Sequence, residues 1–328
     1  MPKVGARKNP EIEIAQRAMV DEDAAVEFWE RHRWSDCPTC VRCGSVNAYT
    51  IKNDARRRWR CRDCSRMYTV KVGTVMEDSN IPLRFWTMAL HFMTAGKKGY
   101  AAKQFQRQSG LSYKSSLFLL NRIRYAMADE PHEMLLGTVE VDEAYIGGKP
   151  RSASKQARER AAAEGKEIPK SKRGRGTLKT PVIAIVQRGG KAYASPVASV
   201  NAQTLKLAVE MYAHRTVRVV TDSLNLYNGI GEGFRGGHYT VNHTVKEYAR
   251  KEPDGFVTHT NSVEGFFSLL QRGIIGIYHS VSPLHLHRYV SEAAFRYSYR
   301  FCDDGQRMIE LVKRIEGKKL HNRNSAAL

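Results

Sequence analysis

Two Cys-x-x-Cys pairs constrain the first part of this chain more than any other feature. Cys40-Val41-Arg42-Cys43 and Cys61-Arg62-Asp63-Cys64 each set two thiols at the tip of a tight turn. Two such knuckles close a tetrahedral Zn²⁺ site, and their separation suits a zinc ribbon. Cys37-Pro38-Thr39-Cys40 is a competing pair. Gly44-Ser45 directly follows Cys43, giving the Cys-x-x-Cys-Gly form of a knuckle, so Cys40, Cys43, Cys61 and Cys64 are the expected ligands and Cys37 a spare thiol. Six cysteines in 328 residues do not make a disulfide scaffold, and Cys302 reads as a core residue.

Lys and Arg total 53 against 33 Asp and Glu, a formal net charge of +20. That imbalance favours a polyanion, and phosphate contacts dominate affinity for DNA or RNA. No apolar run is long enough to span a bilayer. The N-terminal residues lack the apolar core of a secretion signal, so a cytoplasmic, nucleoid-associated protein without membrane contact is expected.

The length allows two or three domains. Residues 12–33 read as one helix, with Ile14, Val20, Ala24, Phe28 and Trp29 on its apolar stripe. The ribbon is expected over 34–74. Residues 80–130 read as helices, with Leu83, Trp86, Ala89 and Leu90 on one stripe. Within them, Gly110-Leu111-Ser112 separates two helical stretches in the outline of a helix-turn-helix, with Ser112 as N-cap and Lys114, Arg122 and Arg124 as phosphate contacts.

At residue 138 the period changes. Thr138-Val139-Glu140-Val141-Asp142 alternates as a strand. Residues 149–179 are basic, carry no apolar stripe and read as a mobile insertion. Strands follow at 181–186, 191–200 and 217–222, with a helix at 202–214 and another from about Asn261. The order β-β-β-α-β-α is that of a ribonuclease-H-like domain. The fold class expected is therefore α/β multidomain: zinc ribbon and helix-turn-helix-like region, then a ribonuclease-H-like mixed sheet over 136–302, then a C-terminal helix and tail over 303–328.

Phosphodiester cleavage by such a domain needs a few separated carboxylates converging on divalent metal. Asp142 and Asp222 fit, each at the end of a β-branched strand. Glu264 is the third candidate, although Asn261-Ser262-Val263-Glu264 also matches a capping box with Asn261 as N-cap. Asn261 is an alternative third ligand or a support to the site. Glu143, Tyr145 and Lys149 flank Asp142 as supporting or DNA-contacting groups, and His259 reads as a satisfied turn histidine.

Five blocks, WSDCPTCVRCGS, WRCRDCSRMYTVKVGTVME, VEVDEAYIGGK, VVTDS and HTNSVEGFFSLLQRGIIGIYHSVS, resemble the ISXO-like transposases of bacterial insertion sequences. The resemblance runs from about residue 20 to 302. It implies a zinc-ribbon N-terminus and a DDE-type catalytic domain. It implies Mg²⁺- or Mn²⁺-dependent cutting at terminal inverted repeats in double-stranded DNA, transfer to target DNA, and a homo-oligomer on DNA. Its motif puts the acidic ligands on Asp142, Asp222 and Glu264, with asparagine in the third position in some branches, and supports Cys40 over Cys37. Relatives often carry lysine seven residues after the glutamate; this chain has Gln271, then Arg272. Two alternatives are a catalytically inactive, transposase-derived DNA-binding regulator and a ribonuclease-H-like nuclease.

Overall fold

The computed structural model describes residues 9–35, 37–128, 133–147, 154–165 and 179–320. The chain divides into two compact units, one built from residues 1–130 and 291–328, the other from 131–290.

In the first unit, helices α1 (Pro10–Ala18) and α2 (Glu22–Trp34) replace the single helix expected over 12–33. The break is a cap: the Asp21 carboxylate accepts from the backbone N–H groups of Asp23 and Ala24 and starts a new helix. Val20 consequently lies in the connection at 74% exposure, outside the stripe. Three short antiparallel strands follow, β1 (Ala48–Thr50), β2 (Trp59–Cys61) and β3 (Met67–Tyr68). Trp34 packs edge-on against Trp59 and Tyr68, and the Trp59 indole donates to Glu30 at 2.7 Å, which seats the ribbon on α2.

Helices α3 (Leu83–Ala95), α4 (Ala102–Ser109) and α5 (Tyr113–Met127) complete the N-terminal part. Gly110 ends α4 at φ 74°, a left-handed position that suits glycine, and the Ser112 hydroxyl caps α5. The helix–turn–helix outline is therefore present. Its expected phosphate contacts are not all available. Arg122 is 5% exposed and donates to the carbonyls of Val75, Glu77 and Leu320; Arg124 is 1% exposed and bonds Glu292. Both are consumed inside the unit, and of the three only Lys114 faces solvent. Residues 291–320 return to this unit, where Phe295, Met308, Leu311 and Val312 join the core made by Trp29, Trp86, Leu90 and Leu119.

The second unit is a mixed five-stranded sheet in the order β6-β5-β4-β7-β8. Strands β4 (Thr138–Ile146), β5 (Thr180–Gln187) and β6 (Ala192–Pro196) form an antiparallel meander. Strands β7 (Arg218–Asp222) and β8 (His238–Val241) add on in parallel beyond β4. Between β4 and β5, the described part of the basic insertion is a helix, α6 (Lys155–Ala163), not coil. Its alanines favour helix, and Arg160 pairs with Glu164 one turn on. Most of the insertion's other basic residues lie outside the described residues.

Period-2 alternation sorts β4. Val139 and Val141 point into a core shared with Ile183, Ile185, Leu205 and Val209, the last two from α7 (Ala202–Tyr212). Glu140 and Asp142 point to the other face, where α8 (Asn261–Gly273) packs against β4 and β5. A hairpin of β9 (Ala249–Lys251) and β10 (Val257–His259) precedes α8, and α9 (Leu286–Ser298) and α10 (Asp304–Val312) close the chain. No helix among the described residues is long and apolar enough to cross a membrane.

Candidate active site

Among the described residues, one group of metal-ligating side chains is tightly drawn together: Cys40, Cys43, Cys61 and Cys64, with all four sulfurs within 4.8 Å of one another. Cys40 and Cys64 sulfurs are 3.6 Å apart and those of Cys43 and Cys61 3.7 Å. A tetrahedron with Zn–S bonds of ~2.3 Å has edges of about 3.8 Å, so the cage fits zinc as it stands. The backbone N–H groups of Cys64 and Asp63 hold the Cys61 thiol down at about 7, while burial and the neighbouring thiols push Cys43 up to about 12. Cys37 is exposed and outside the cluster, and Cys302 is half-buried.

The acidic residues converge by a different logic. The parallel ladder pairs Thr138 with Arg218, Val139 with Val219 and Glu140 with Val220. The ladder stops there: Asp142 lies mid-way along β4, which runs on to Ile146, while Asp222 is the last residue of the adjacent β7, and its charge acts on Asp142. Glu264, in the first turn of α8, lines an open cleft of about 380 Å³ with Asp142, Ser268, Gln271 and Arg272. Asp142 is half-buried, and its carboxyl is pushed up to about 7 by burial and by the charges of Glu143, Asp222 and Glu264. The Glu143 backbone N–H opposes that rise by donating to Asp142 at 2.8 Å. Asp142 thus feels both of the other acids, though the group is looser than the cysteines: the three carboxylates are not drawn to within 4.8 Å of one another. Crowded hard oxygen donors suit Mg²⁺ or Mn²⁺.

Each partner is held by its own device. The Asp222 carboxylate accepts from the Leu224 backbone N–H in the turn after β7. Glu264 accepts from the Thr260 hydroxyl at 2.8 Å and lies 3.4 Å from His243 Nε2. Tyr227, buried beside the sheet, donates its hydroxyl to Glu143. Gln271 and Arg272 line the cleft directly.

One expectation at the start of α8 needs correction. The capping box Asn261–Glu264 is not formed: Thr260 is the N-cap, Asn261 is the first helical residue, and the Thr260 side chain makes no cap bond. Asn261 is exposed and does not line the cleft. The start of α8 is held instead by Glu140 of β4. The Glu140 carboxylate, fully buried, accepts from the backbone N–H groups of Ser262 and Val263 at 2.7 and 3.1 Å. Arg188 donates to the same carboxylate at 2.6 Å. His259 lies against it too; burial and Arg188 hold its ring below the ordinary pKa, so it is neutral near pH 7 and Arg188 is the counter-ion. The signal available in the sequence was the Glu-x-Asp spacing of β4, which puts both acids on one face.

Residues 134–298 match the ISXO2-like transposase domain, and residues 20–67 match a transposase zinc-ribbon domain. The chain belongs to the ISXO2-like transposase family. A relative, an uncharacterized protein in transposable element ISH50 of Halobacterium salinarum, is 28% identical over 270 residues, covering 78% of this chain and 84% of that protein. The family match spans every strand of the mixed sheet and includes Asp142, Asp222 and Glu264, and the ribbon match includes all four clustered cysteines.

Proposed function

We propose that this insertion-sequence transposase binds the terminal inverted repeats of its element and catalyses metal-dependent strand cleavage and strand transfer. Asp142, Asp222 and Glu264 would hold Mg²⁺ or Mn²⁺. Bound there, the metal supplies Lewis-acid stabilisation of attacking and leaving oxygens. The observation that supports this reading is that Asp142 and Glu264 line one cleft and that the Asp142 carboxyl feels the charges of both Asp222 and Glu264.

The chain's own groups supply the rest. Arg272 and Gln271 line the cleft where a phosphate backbone would run, one as a cation and one as a neutral donor. Thr260 and His243 keep the Glu264 carboxylate oriented from outside the helix. The freed 3′-hydroxyl would attack target DNA in the same in-line geometry, so no covalent enzyme intermediate is required. The ribbon and the α4–α5 region would hold the repeats, with further copies of the chain assembling on the DNA.

The test is Asp222→Asn. Nicking of a repeat-ended duplex should be abolished while repeat binding by gel shift stays within about threefold of the parent; undiminished nicking refutes the catalytic assignment. Gln271, where relatives carry lysine, favours a second reading as a DNA-binding regulator, which predicts repeat binding and no Mg²⁺-dependent nicking in the parent chain. Joined donor–target products separate a transposase from a simple nuclease.

A further inference from the structure

The N-terminus of α8 has unsatisfied backbone N–H groups, as every helix has. A local side chain commonly takes them; here the Thr260 cap position makes no such bond. The partner comes instead from β4, 122 and 123 residues earlier in the chain: Glu140 accepts from Ser262 N–H, Ser262 Oγ and Val263 N–H. A carboxylate with no solvent exposure is a demanding way to cap a helix, and it persists only when paired and fully hydrogen-bonded. Arg188 provides that pairing and extends it. Its guanidinium also donates to the carbonyls of Val257 and His259 at 2.6 and 2.8 Å, tying the segment that leads into α8 to the same point.

Glu140 stands two residues before Asp142 on the same face of β4, and the turn it grips holds Glu264 two residues after Ser262. One buried carboxylate therefore fixes the strand bearing one cleft acid to the helix bearing another. We infer that Glu140, with Arg188 as its counter-ion, is a positioning residue that sets Glu264 against Asp142 and so prepares the cleft for divalent metal. The inference rests on the proposed roles of Asp142, Asp222 and Glu264. A merely structural cap would affect stability alone; a positioning residue also governs how well the acids share a cation.

The experiment uses the full chain with its zinc retained. Mn²⁺ affinity is measured by water-proton relaxation, with the Asp142→Asn/Asp222→Asn double variant as background, alongside nicking and DNA affinity. Glu140→Gln keeps the shape and an acceptor but removes the charge. It should lose about tenfold or more in both Mn²⁺ affinity and nicking kcat, with repeat affinity within about twofold of the parent. Should that variant fail to fold, Glu140→Gln/Arg188→Gln removes both charges together and leaves neither unpaired, and should show the same loss. Ser262→Ala leaves the buried ion pair intact, removes one contact and should weaken Mn²⁺ binding about threefold. Parental Mn²⁺ affinity and kcat in these variants, even with a lowered melting temperature, overturns the inference. Asp222→Asn separates the two levels. If it nicks normally, the catalytic reading itself has failed; if it is dead while Glu140→Gln is unaffected, only the positioning role has.

Discussion

Glu292 is completely buried, with Arg124 donating to one carboxylate oxygen at 2.8 Å and Arg296 to the other at 2.6 Å. Burial alone would raise its pKa, but Arg296 and Arg124 outweigh that and hold it below the ordinary 4.5. A carboxyl with a depressed folded pKa stabilises above its unfolded value and loses that contribution as pH falls through the folded one. Stability of the first unit should therefore be flat above about pH 5 and decline on acidification, read as urea midpoints across pH. Glu292→Gln strands two buried cations and should cost about 3–5 kcal/mol in the same assay, with the acid-dependent part of the decline reduced. None of this was legible in the sequence. Arg122 and Arg124 looked like phosphate contacts because residue type reports charge, and only the packed helices around α5 reveal that these two face inward. That Glu140 and Asp142 share one face of β4 was legible because a strand's two-residue period fixes direction without tertiary knowledge.

The zinc ribbon is the element most fully written in its own residues, since four thiols at knuckle spacing leave few other arrangements. Its three strands are too short to stand without the metal. Chelation should release one Zn²⁺ per chain, seen with a colorimetric indicator, and abolish the tryptophan signal of Trp59 packed on Trp34. Cys61→Ser should bind no stoichiometric zinc, whereas Cys37→Ser should keep a full equivalent. Helix α8 was legible as an element and misread at its start. Asn261-Ser262-Val263-Glu264 satisfies the local pattern of a capping box as well as any sequence does, and what displaces it is Glu140, which no window around Asn261 contains. Its buried stripe, Val263, Phe266, Phe267 and Leu270, followed the helical period as expected. Phe266→Ala should destabilise the second unit by about 3–5 kcal/mol by calorimetry. The β9–β10 hairpin escaped notice because Ala249-Arg250-Lys251 is short and exposed throughout, with no alternation to read.

For the molecule as a whole, a net charge of +20 makes DNA affinity a salt-dependent quantity. Repeat binding should fall linearly on a log–log plot of affinity against salt concentration, and neutralising Arg272 should lower the slope by about one without changing the preference among sequences. Charge, ribbon and the chain order of the first strands and helices of the second unit could be recognised from the sequence alone, whereas the strand order β6-β5-β4-β7-β8 and the strand β8 could not. The return of residues 291–320 to the first unit left no local mark, because amphipathic helices such as α10 do not declare which apolar surface they will cover. That return has a consequence for birth of the protein at the ribosome. The unit that carries the ribbon lacks Phe295, Met308 and Leu311 until codon 311 has been read, so a nascent chain cannot complete it before then. Messages cut short before codon 291 should yield an aggregation-prone, protease-sensitive product instead of a free-standing repeat binder that would compete with its full-length sibling for the ends of the element.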